Sequence, residues 1–435
     1  MIVISKHDTR MYEPHCDVRE PTLIVGVTWA GMARTLVEDH LDELERLVDT
    51  AGGEVLERVV QERRSLDPAT VVGSGFLARV AERCSDLEIR SLIFDEDLTG
   101  SQVRNIEQAV PKEVKVLDRA AVILDIFAQR ARSREAQTQV ELAQLNYLLP
   151  RLTRRWTHLS RQEGGIGTRG VGETQLEIDR RLISKRIAQL KSKLVVIERD
   201  RRLRRNRRSD TSTLALVGYT NAGKSSLFRR LSRADVLIED RLFATLDPRI
   251  RRIDLGHEVA AVVVDTVGFV RKLPHHLVAP FRSTLEEAAE ADIVLHVVDA
   301  AHPSWEEHLR VGQTILDELD VDQEKILVVL NKIDLLAPGS MPYLPLGRPS
   351  LRLSAASGEG LAQFRNEVRV RLMASPGVVV LRVPLEQPEM VQRAVALPHQ
   401  IARRFRQEFL DLAVRADESL IRREGLGTFL AEGWV

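Results

Sequence analysis

A chain of 435 residues is too long for one ordinary core and predicts about three domains. No apolar run approaches the roughly 18 residues of a membrane-spanning helix, and the N-terminus lacks the basic-then-apolar layout of a signal peptide. The two cysteines, Cys16 and Cys84, sit in neither a CxxC nor a pattern with metal-spaced histidines, which argues against a disulfide framework and a zinc site and predicts a reducing, cytoplasmic setting.

Residues 1–20 show no periodicity and read as an irregular arm. From 21 to 130 strand and helix patterns alternate: Pro21–Val27 as a strand, Val37–Ala51 as an amphipathic helix ending at Gly52-Gly53, and strands at Glu54–Val60, Ser91–Phe94 and Val114–Leu117. This alternation predicts a small α/β domain with a parallel sheet. From about Ala120 to Arg155 one long helix is expected, ended or kinked by Pro150. Five glycines between Gly164 and Gly172 exclude helix and strand and predict a flexible loop. A second helix follows from about Glu173 to Arg207, with apolar positions at Leu176, Ile183, Ile187, Leu190, Leu194 and Ile197. Residues 131–208 therefore read as an αα hairpin tipped by a Gly-rich loop (161–172). Between Arg151 and Arg208 there are 18 Lys/Arg against 6 Asp/Glu, twelve net positive charges that the neutral whole-chain balance conceals. Their obvious partner is a polyanion, and Arg161, Gly164, Gly165, Gly167, Arg169 and Gly170 are the candidate RNA contacts: the glycines admit close backbone approach and the arginines reach phosphate.

Residues 209–375 alternate again, with buried-type strands at Thr213–Val217, Val259–Asp265, Ile293–Asp299 and Ile326–Asn331. The last segment, 376–435, reads as a small α+β domain with strands at Gly377–Val383 and Phe409–Val414 and a helix at Pro388–Ala396. No heptad or large apolar stripe is visible, so a monomer is expected.

Chemistry concentrates between 218 and 357. Gly218-Tyr219-Thr220-Asn221-Ala222-Gly223-Lys224-Ser225 matches GxxxxGKS between a strand and a helix, a phosphate-binding loop. Its amides and the following helix N-terminus cradle phosphates, Lys224 reaches the β- and γ-phosphates, and the Ser225 hydroxyl is a magnesium ligand. Asp265-Thr266-Val267-Gly268 fits DxxG: the carboxylate anchors magnesium and the Gly268 N–H faces the γ-phosphate. In Phe243-Ala244-Thr245-Leu246-Asp247, Thr245 is the expected switch threonine that closes over magnesium. Asn331-Lys332-Ile333-Asp334 selects guanine, because the Asp334 carboxylate accepts from N1–H and the 2-amino group, a pair that adenine lacks. Asn331 ties that loop to the phosphate loop, the Lys332 stem lies along the base, and Ser354-Ala355-Ala356 supplies an N–H to O6. Lys224, Thr245 and Gly268 are the catalytic candidates; Ser225, Thr245 and Asp265 are the metal ligands. Phe269, where many GTPases place a water-orienting glutamine, predicts slow intrinsic turnover completed by a partner. Asn221 raises a second hypothesis, potassium activation.

The motifs GYTNAGKS, LFATLDP and DTVGF, with Leu273–Asp299, Leu124–Leu152 and RQEGGIGTRGVGETQLEIDRR (Arg161–Arg181), resemble the HflX-type ribosome-associated GTPases over roughly residues 20–375. The resemblance implies an α/β P-loop GTPase domain with an N-terminal α/β domain and helical hairpin. It also implies binding to the large ribosomal subunit and its RNA, the Gly-rich loop near the peptidyl-transferase region, and subunit splitting in the GTP state, in the manner of proteins that rescue stalled ribosomes. Val171 stands where the family usually has proline, and Gly73-Ser74-Gly75 is followed by Phe76 where lysine is typical, so no nucleotide contact is carried over to the N-terminal domain. Two other readings compete: an RNA-binding or remodelling module whose nucleotide site is structural, and a GTPase of ribosome assembly.

Overall fold

The computed structural model describes residues 19–29, 31–152, 175–206, 211–232, 243, 247, 249–272, 287–337, 349–431 and 433–434. The chain divides into two compact units, Met1–Val122 and Ile123–Val435. Among the described residues no helix is long and apolar enough to cross a membrane.

In the first unit, strands β1 (Glu20–Thr28), β2 (Gly53–Glu62), β3 (Ser91–Phe94) and β4 (Lys115–Asp118) form a parallel sheet of order β2-β1-β3-β4. Helices α1 (Arg34–Ala51), α2 (Ser74–Asp86) and α3 (Gly100–Ala109) make the crossovers. The predicted parallel α/β arrangement is present. Leu23, Val25, Leu77, Val80, Leu92, Phe94 and Ile106 fill the core between sheet and helices. Helix α1 stops where Gly52 adopts φ +95° and donates its N–H to the carbonyls of Asp49 and Val48, a left-handed cap that suits glycine.

The long helix expected from Ala120 is two helices. α4 (Arg119–Arg130) ends, and α5 (Arg134–Leu148) begins behind Ser133, whose hydroxyl accepts from the Ala136 N–H and caps the new helix. The helical periodicity runs through this corner, so only the capping serine betrays it. Pro150 lies in a 3-10 turn (Leu149–Arg151) that follows α5. α6 (Gln175–Asn206) packs back on α5, with Leu142 and Leu145 against Ile187 and Leu190. Arg186 spans the pair to Glu141 with bonds of 2.6 and 2.9 Å, which raise the guanidinium pKa. The Gly-rich loop lies outside the described residues.

A six-stranded sheet of order β10-β9-β8-β5-β7-β6 follows, with β5 (Thr213–Gly218), β7 (Ala260–Asp265), β8 (Ile293–Asp299), β9 (Ile326–Asn331) and β10 (Ser350–Arg352) parallel. β6 (Arg249–Asp254) is the antiparallel edge and was not expected: four of its six residues are charged, which conceals a strand. Helices α7 (Lys224–Ser232), α8 (Trp305–Glu318) and α9 (Leu361–Met373) complete this α/β layer.

The last segment forms an antiparallel sheet, β12-β13-β11-β14, from β11 (Val378–Pro384), β12 (Gln400–Phe405), β13 (Phe409–Arg415) and β14 (Leu430–Ala431), with helices α10 (Pro388–Ala396) and α11 (Glu418–Arg423). It has its own core around Leu381, Leu410 and Leu412. It also lends Ile401, Ala402 and Ala413 to the core of the six-stranded sheet, through a bridge between Ala402 and Val259.

Candidate functional site

The phosphate-binding loop leaves the carboxyl end of the central strand β5, where open parallel sheets place their ligands. Its path is fixed by close approach. Gly218 has φ +142°, and a Cβ there would lie 2.1 Å from the Val297 carbonyl oxygen of β8. Gly223 has φ +89°, and a Cβ would lie 2.2 Å from Asn331 Nδ2. Asn221, at φ +59°, takes the left-handed conformation that asparagine tolerates.

Lys224 opens α7 with its amine turned into the loop, donating to the carbonyls of Gly218 (3.0 Å) and Tyr219 (2.7 Å). Burial pushes its pKa down to about 8, while the Asp265 carboxylate pulls the other way. The Ser225 hydroxyl donates to Asp265 Oδ2 at 3.0 Å, so the two expected metal ligands meet at one point. A hydroxyl beside a carboxylate is a hard-oxygen donor pair, which fits magnesium completed by phosphates and water. Among the described residues no cluster of three or more His, Cys, Asp or Glu could hold a metal, so the pair would need those outside oxygens.

After Asp265 the chain passes directly beneath the phosphate loop. Thr266 turns its hydroxyl back to the Leu216 carbonyl (2.7 Å) and is buried in the sheet. Val267 is also buried. A Cβ on Gly268 would lie 2.8 Å from Thr220 Cγ2 and 3.0 Å from Lys224 Nζ, so glycine alone lets the two loops approach this closely. Phe269 is zipped to the loop: its N–H donates to Gly218 O (2.9 Å), and its carbonyl accepts from Thr220 N–H (2.7 Å). The Phe269 ring belongs to the sheet core. The Tyr219 ring stacks on His308 of α8 at 3.8 Å, and its hydroxyl accepts from the Arg271 N–H.

Asn331 is the hub on the base side. It is almost fully buried, donates to the Ala222 carbonyl (2.8 Å) and accepts from the Ala355 N–H (2.9 Å). The predicted tie to the phosphate loop is present. The Ala355 N–H is thereby spent on Asn331; with the Ser354 N–H given to Glu359 and the Ser357 N–H to the Ser354 hydroxyl, Ala356 carries the N–H of this loop that stays open among the described residues. Lys332, at φ +64°, reaches Asp299 Oδ2 at 2.7 Å, which holds its stem in place. Ile333 and Asp334 sit in a 3-10 turn, with Asp334 exposed. Two anchors went unread in the sequence: Asp299, and Arg230, which donates to the carbonyls of Ala356 (3.3 Å) and Ser357 (2.8 Å). An arginine in the last turn of α7 carries no motif that announces such a contact.

Phe243 and Asp247 are described, while Ala244, Thr245 and Leu246 lie outside the described residues, as do Arg161, Gly164, Gly165, Gly167, Arg169 and Gly170. Asp247 was expected among the nucleotide-binding residues, but its carboxylate is committed to the start of α5. It accepts the N–H groups of Arg132 and Ser133 (3.1 Å each) and the Ser133 hydroxyl.

Family models match three consecutive stretches: one described as GTP-binding GTPase N-terminal over residues 38–128, one as GTP-binding GTPase Middle Region over 130–208, and one as 50S ribosome-binding GTPase over 213–332. The GTPase HflX of Escherichia coli (strain K12) is 44% identical over 361 residues, covering 82% of this chain and 84% of that protein. The GTPase HflX of Magnetococcus marinus is 48% identical over 342 residues, covering 78% and 79%. A crystal structure of a GTP-binding protein from the hyperthermophilic archaeon Sulfolobus solfataricus in complex with GDP is similar at a TM-score of 0.43 and 24% identity, covering 82% of this chain and 99% of that one. Fold and site together define a P-loop GTPase, an enzyme that hydrolyses GTP. At these identities and coverages, the chain belongs to the HflX family of GTPases.

Proposed function

We propose that this GTPase works on the large ribosomal subunit, using GTP binding and hydrolysis to control its own association and to split or rescue stalled ribosomes from the cytoplasmic pool. The observation that carries the reading is α6: over Gln175–Asn206 it bears 11 Lys/Arg against 4 Asp/Glu, and it leads within a few residues into β5 and the phosphate loop. A basic helix of this kind matches the phosphate backbone of ribosomal RNA. The matched model's description as a 50S ribosome-binding GTPase supports the same partner. The glycine loop at the head of the hairpin, with Arg161 and Arg169, is the proposed RNA contact.

At the site, the amides from Gly218 to Ser225 hold the phosphates, and Lys224 leaves its two carbonyls to meet them. Ser225 and Asp265, with Thr245, hold magnesium, which neutralises developing phosphate charge when bound. Gly268 presents its N–H at the γ-phosphate. Asp334 reads the N1–H and 2-amino groups of guanine, and the open Ala356 N–H takes O6. Because the Phe269 ring fills the core, no side chain of that residue orients the attacking water, and turnover waits on a partner that completes the site. A role for potassium at Asn221 is tested in the same assay by exchanging sodium for potassium.

The experiment is GTP turnover with and without purified large ribosomal subunits, with Asp334→Asn as control. Strong stimulation that is lost in the control is the expected result. Tight GTP binding with no stimulation would overturn the ribosomal reading and favour another RNA partner.

A further inference from the structure

Two loops of the nucleotide site lean on the first turn of one helix, α8, through neighbouring residues. Tyr219 of the phosphate loop lies with its ring flat on the His308 imidazole, centroids 3.8 Å apart and planes at 10°, and His302 backs that imidazole at 4.4 Å. Arg271, three residues after Gly268, reaches Glu307 Oε2 at 2.8 Å. The Tyr219 hydroxyl closes the ring of contacts by accepting the Arg271 N–H at 2.9 Å. Tyr219, Arg271 and His308 are all buried, so a partner lost here is not readily replaced by water. The backbones meet at the same place: Tyr219 and Phe269 form a parallel bridge, and the Tyr219 carbonyl accepts the Lys224 amine at 2.7 Å. In GxxxxGKS the second residue is unconstrained, so the motif itself gives no reason for a buried tyrosine there.

We propose that Tyr219 is a positioning residue of the GTPase site: its ring on His308 and its hydroxyl on the Arg271 N–H hold the phosphate loop and the loop after β7 in one register against α8, and so set the Gly268 N–H beside the Lys224 amine for the γ-phosphate. The margin is narrow. A Cβ on Gly268 would lie 2.9 Å from Thr220 Cα and 3.0 Å from Lys224 Nζ, so the two loops are in contact, and a slip of one past the other moves the amide relative to the amine. Fixed donors stabilise charge only where it develops, and a misplacement of about 1 Å is enough to cost roughly a hundredfold in rate. The α- and β-phosphates depend on the amides of the phosphate loop itself. GDP therefore feels the contact with α8 little, while GTP and its hydrolysis feel it strongly. The inference concerns the isolated enzyme and rests on the reading that Gly268 faces the γ-phosphate.

The test uses the full chain without ribosomes. Tyr219→Phe keeps the ring and removes only the acceptor of the Arg271 N–H. His308→Ala removes the stacked ring, and His308→Phe keeps an aromatic face under Tyr219. Single-turnover hydrolysis of bound GTP and affinities for GDP and the slowly hydrolysed analogue GTPγS are measured in each variant, beside urea unfolding midpoints. Tyr219→Phe and His308→Ala are each expected to slow hydrolysis roughly tenfold and to weaken GTPγS about fivefold, with GDP affinity held within about twofold. His308→Phe should keep the wild-type rate and ratio. Equal weakening of GDP and GTPγS would reduce the contact to a fold contact and overturn the proposal, as would an unchanged rate in Tyr219→Phe, or damage in His308→Phe equal to that in His308→Ala. Gly268→Ala checks the underlying reading separately. If it neither slows hydrolysis nor weakens GTPγS, the γ-phosphate role of Gly268 fails and the proposal with it; if it does both while Tyr219→Phe behaves as wild type, the proposal alone fails.

Discussion

Replacing Lys224 with methionine is expected to stabilise the nucleotide-free protein while abolishing GTP binding. Its amine is fully enclosed, and burial pushes the pKa from the ordinary 10.5 to about 8. That drop of about 2.5, at roughly 1.4 kcal/mol per pH unit, corresponds to about 3 kcal/mol of disfavoured charge at neutral pH. Methionine keeps the length and removes the charge. It also forfeits bonds to two carbonyls, but each carbonyl keeps another donor: Gly218 O accepts from the Phe269 N–H, and Tyr219 O from the Ala222 N–H. Asp265 loses a nearby cation and keeps the Ser225 hydroxyl. With these losses counted, a net gain of about 1–2 kcal/mol is expected for the variant. The pH dependence has a definite sign. Between about pH 8 and 10.5 the unfolded lysine holds a proton that the folded one has released, so wild-type stability from this group rises with pH across that window and is flat below it. The advantage of the variant should therefore be full at about pH 7 and largely gone by about pH 10. Urea unfolding of nucleotide-free protein at both pH values measures it. A variant less stable than wild type at neutral pH, or an advantage that does not shrink with pH, would refute the reasoning.

Asn331→Ala leaves the Ala222 carbonyl and the Ala355 N–H without their side-chain partner, at a cost of about 2–4 kcal/mol; urea unfolding together with GTP affinity checks this, and a cost below about 1 kcal/mol would mean that the two groups pair again elsewhere. Gly312→Ala in α8 would place a Cβ 2.2 Å from His296 Nε2 in the buried middle of β8, and about 1–3 kcal/mol should be lost in thermal unfolding with nucleotide affinity little changed. Asp334→Asn exchanges an acceptor for a donor on the base side, so the ratio of GTP to xanthosine triphosphate affinity should fall by at least about a hundredfold; an unchanged ratio would remove Asp334 from base recognition.

The site was more legible than the corners around it. Motif spacing carries the phosphate loop, Asp265 and Asn331 because each pairs a strand end with one turn, and a parallel sheet brings strand ends together whatever lies between them. The strands β5, β7, β8 and β9 read as apolar runs because both of their faces are covered. β6 was missed for the opposite reason: as an edge strand it carries Arg249, Arg251 and Arg252, and charge breaks the pattern. The break between α4 and α5 was missed because one helical period spans it, and what stops α4 is a carboxylate 117 residues after Arg130 in the chain, Asp247. Thr266 and Tyr219 matched their motifs, but their side chains serve the sheet and α8. A motif fixes backbone placement and leaves side-chain direction to long-range packing.

The bonds around the nucleotide site fall into two groups with different roots. On the base side, Asn331 joins the phosphate loop to the Ser354–Ala356 loop, Arg230 braces the same loop from α7, and Asp299 holds Lys332. Asn331, Asp299 and Arg230 stand on strand ends or on the helix that follows the phosphate loop, so the proposed guanine site is anchored to the sheet. On the γ-phosphate side, Phe243 and Asp247 stand on no strand of the sheet and are held by Phe127, Arg132 and Ser133. Lys224 and Ser225 face both groups, paired for now with loop carbonyls and with Asp265. Phosphates can take over those partners without disturbing the base side. In the proposed reading the base side keeps its sheet-anchored contacts with either nucleotide, while the γ-phosphate side draws on Gly268, just past the end of β7, and has Phe243 and Asp247, tied to helices, beside it.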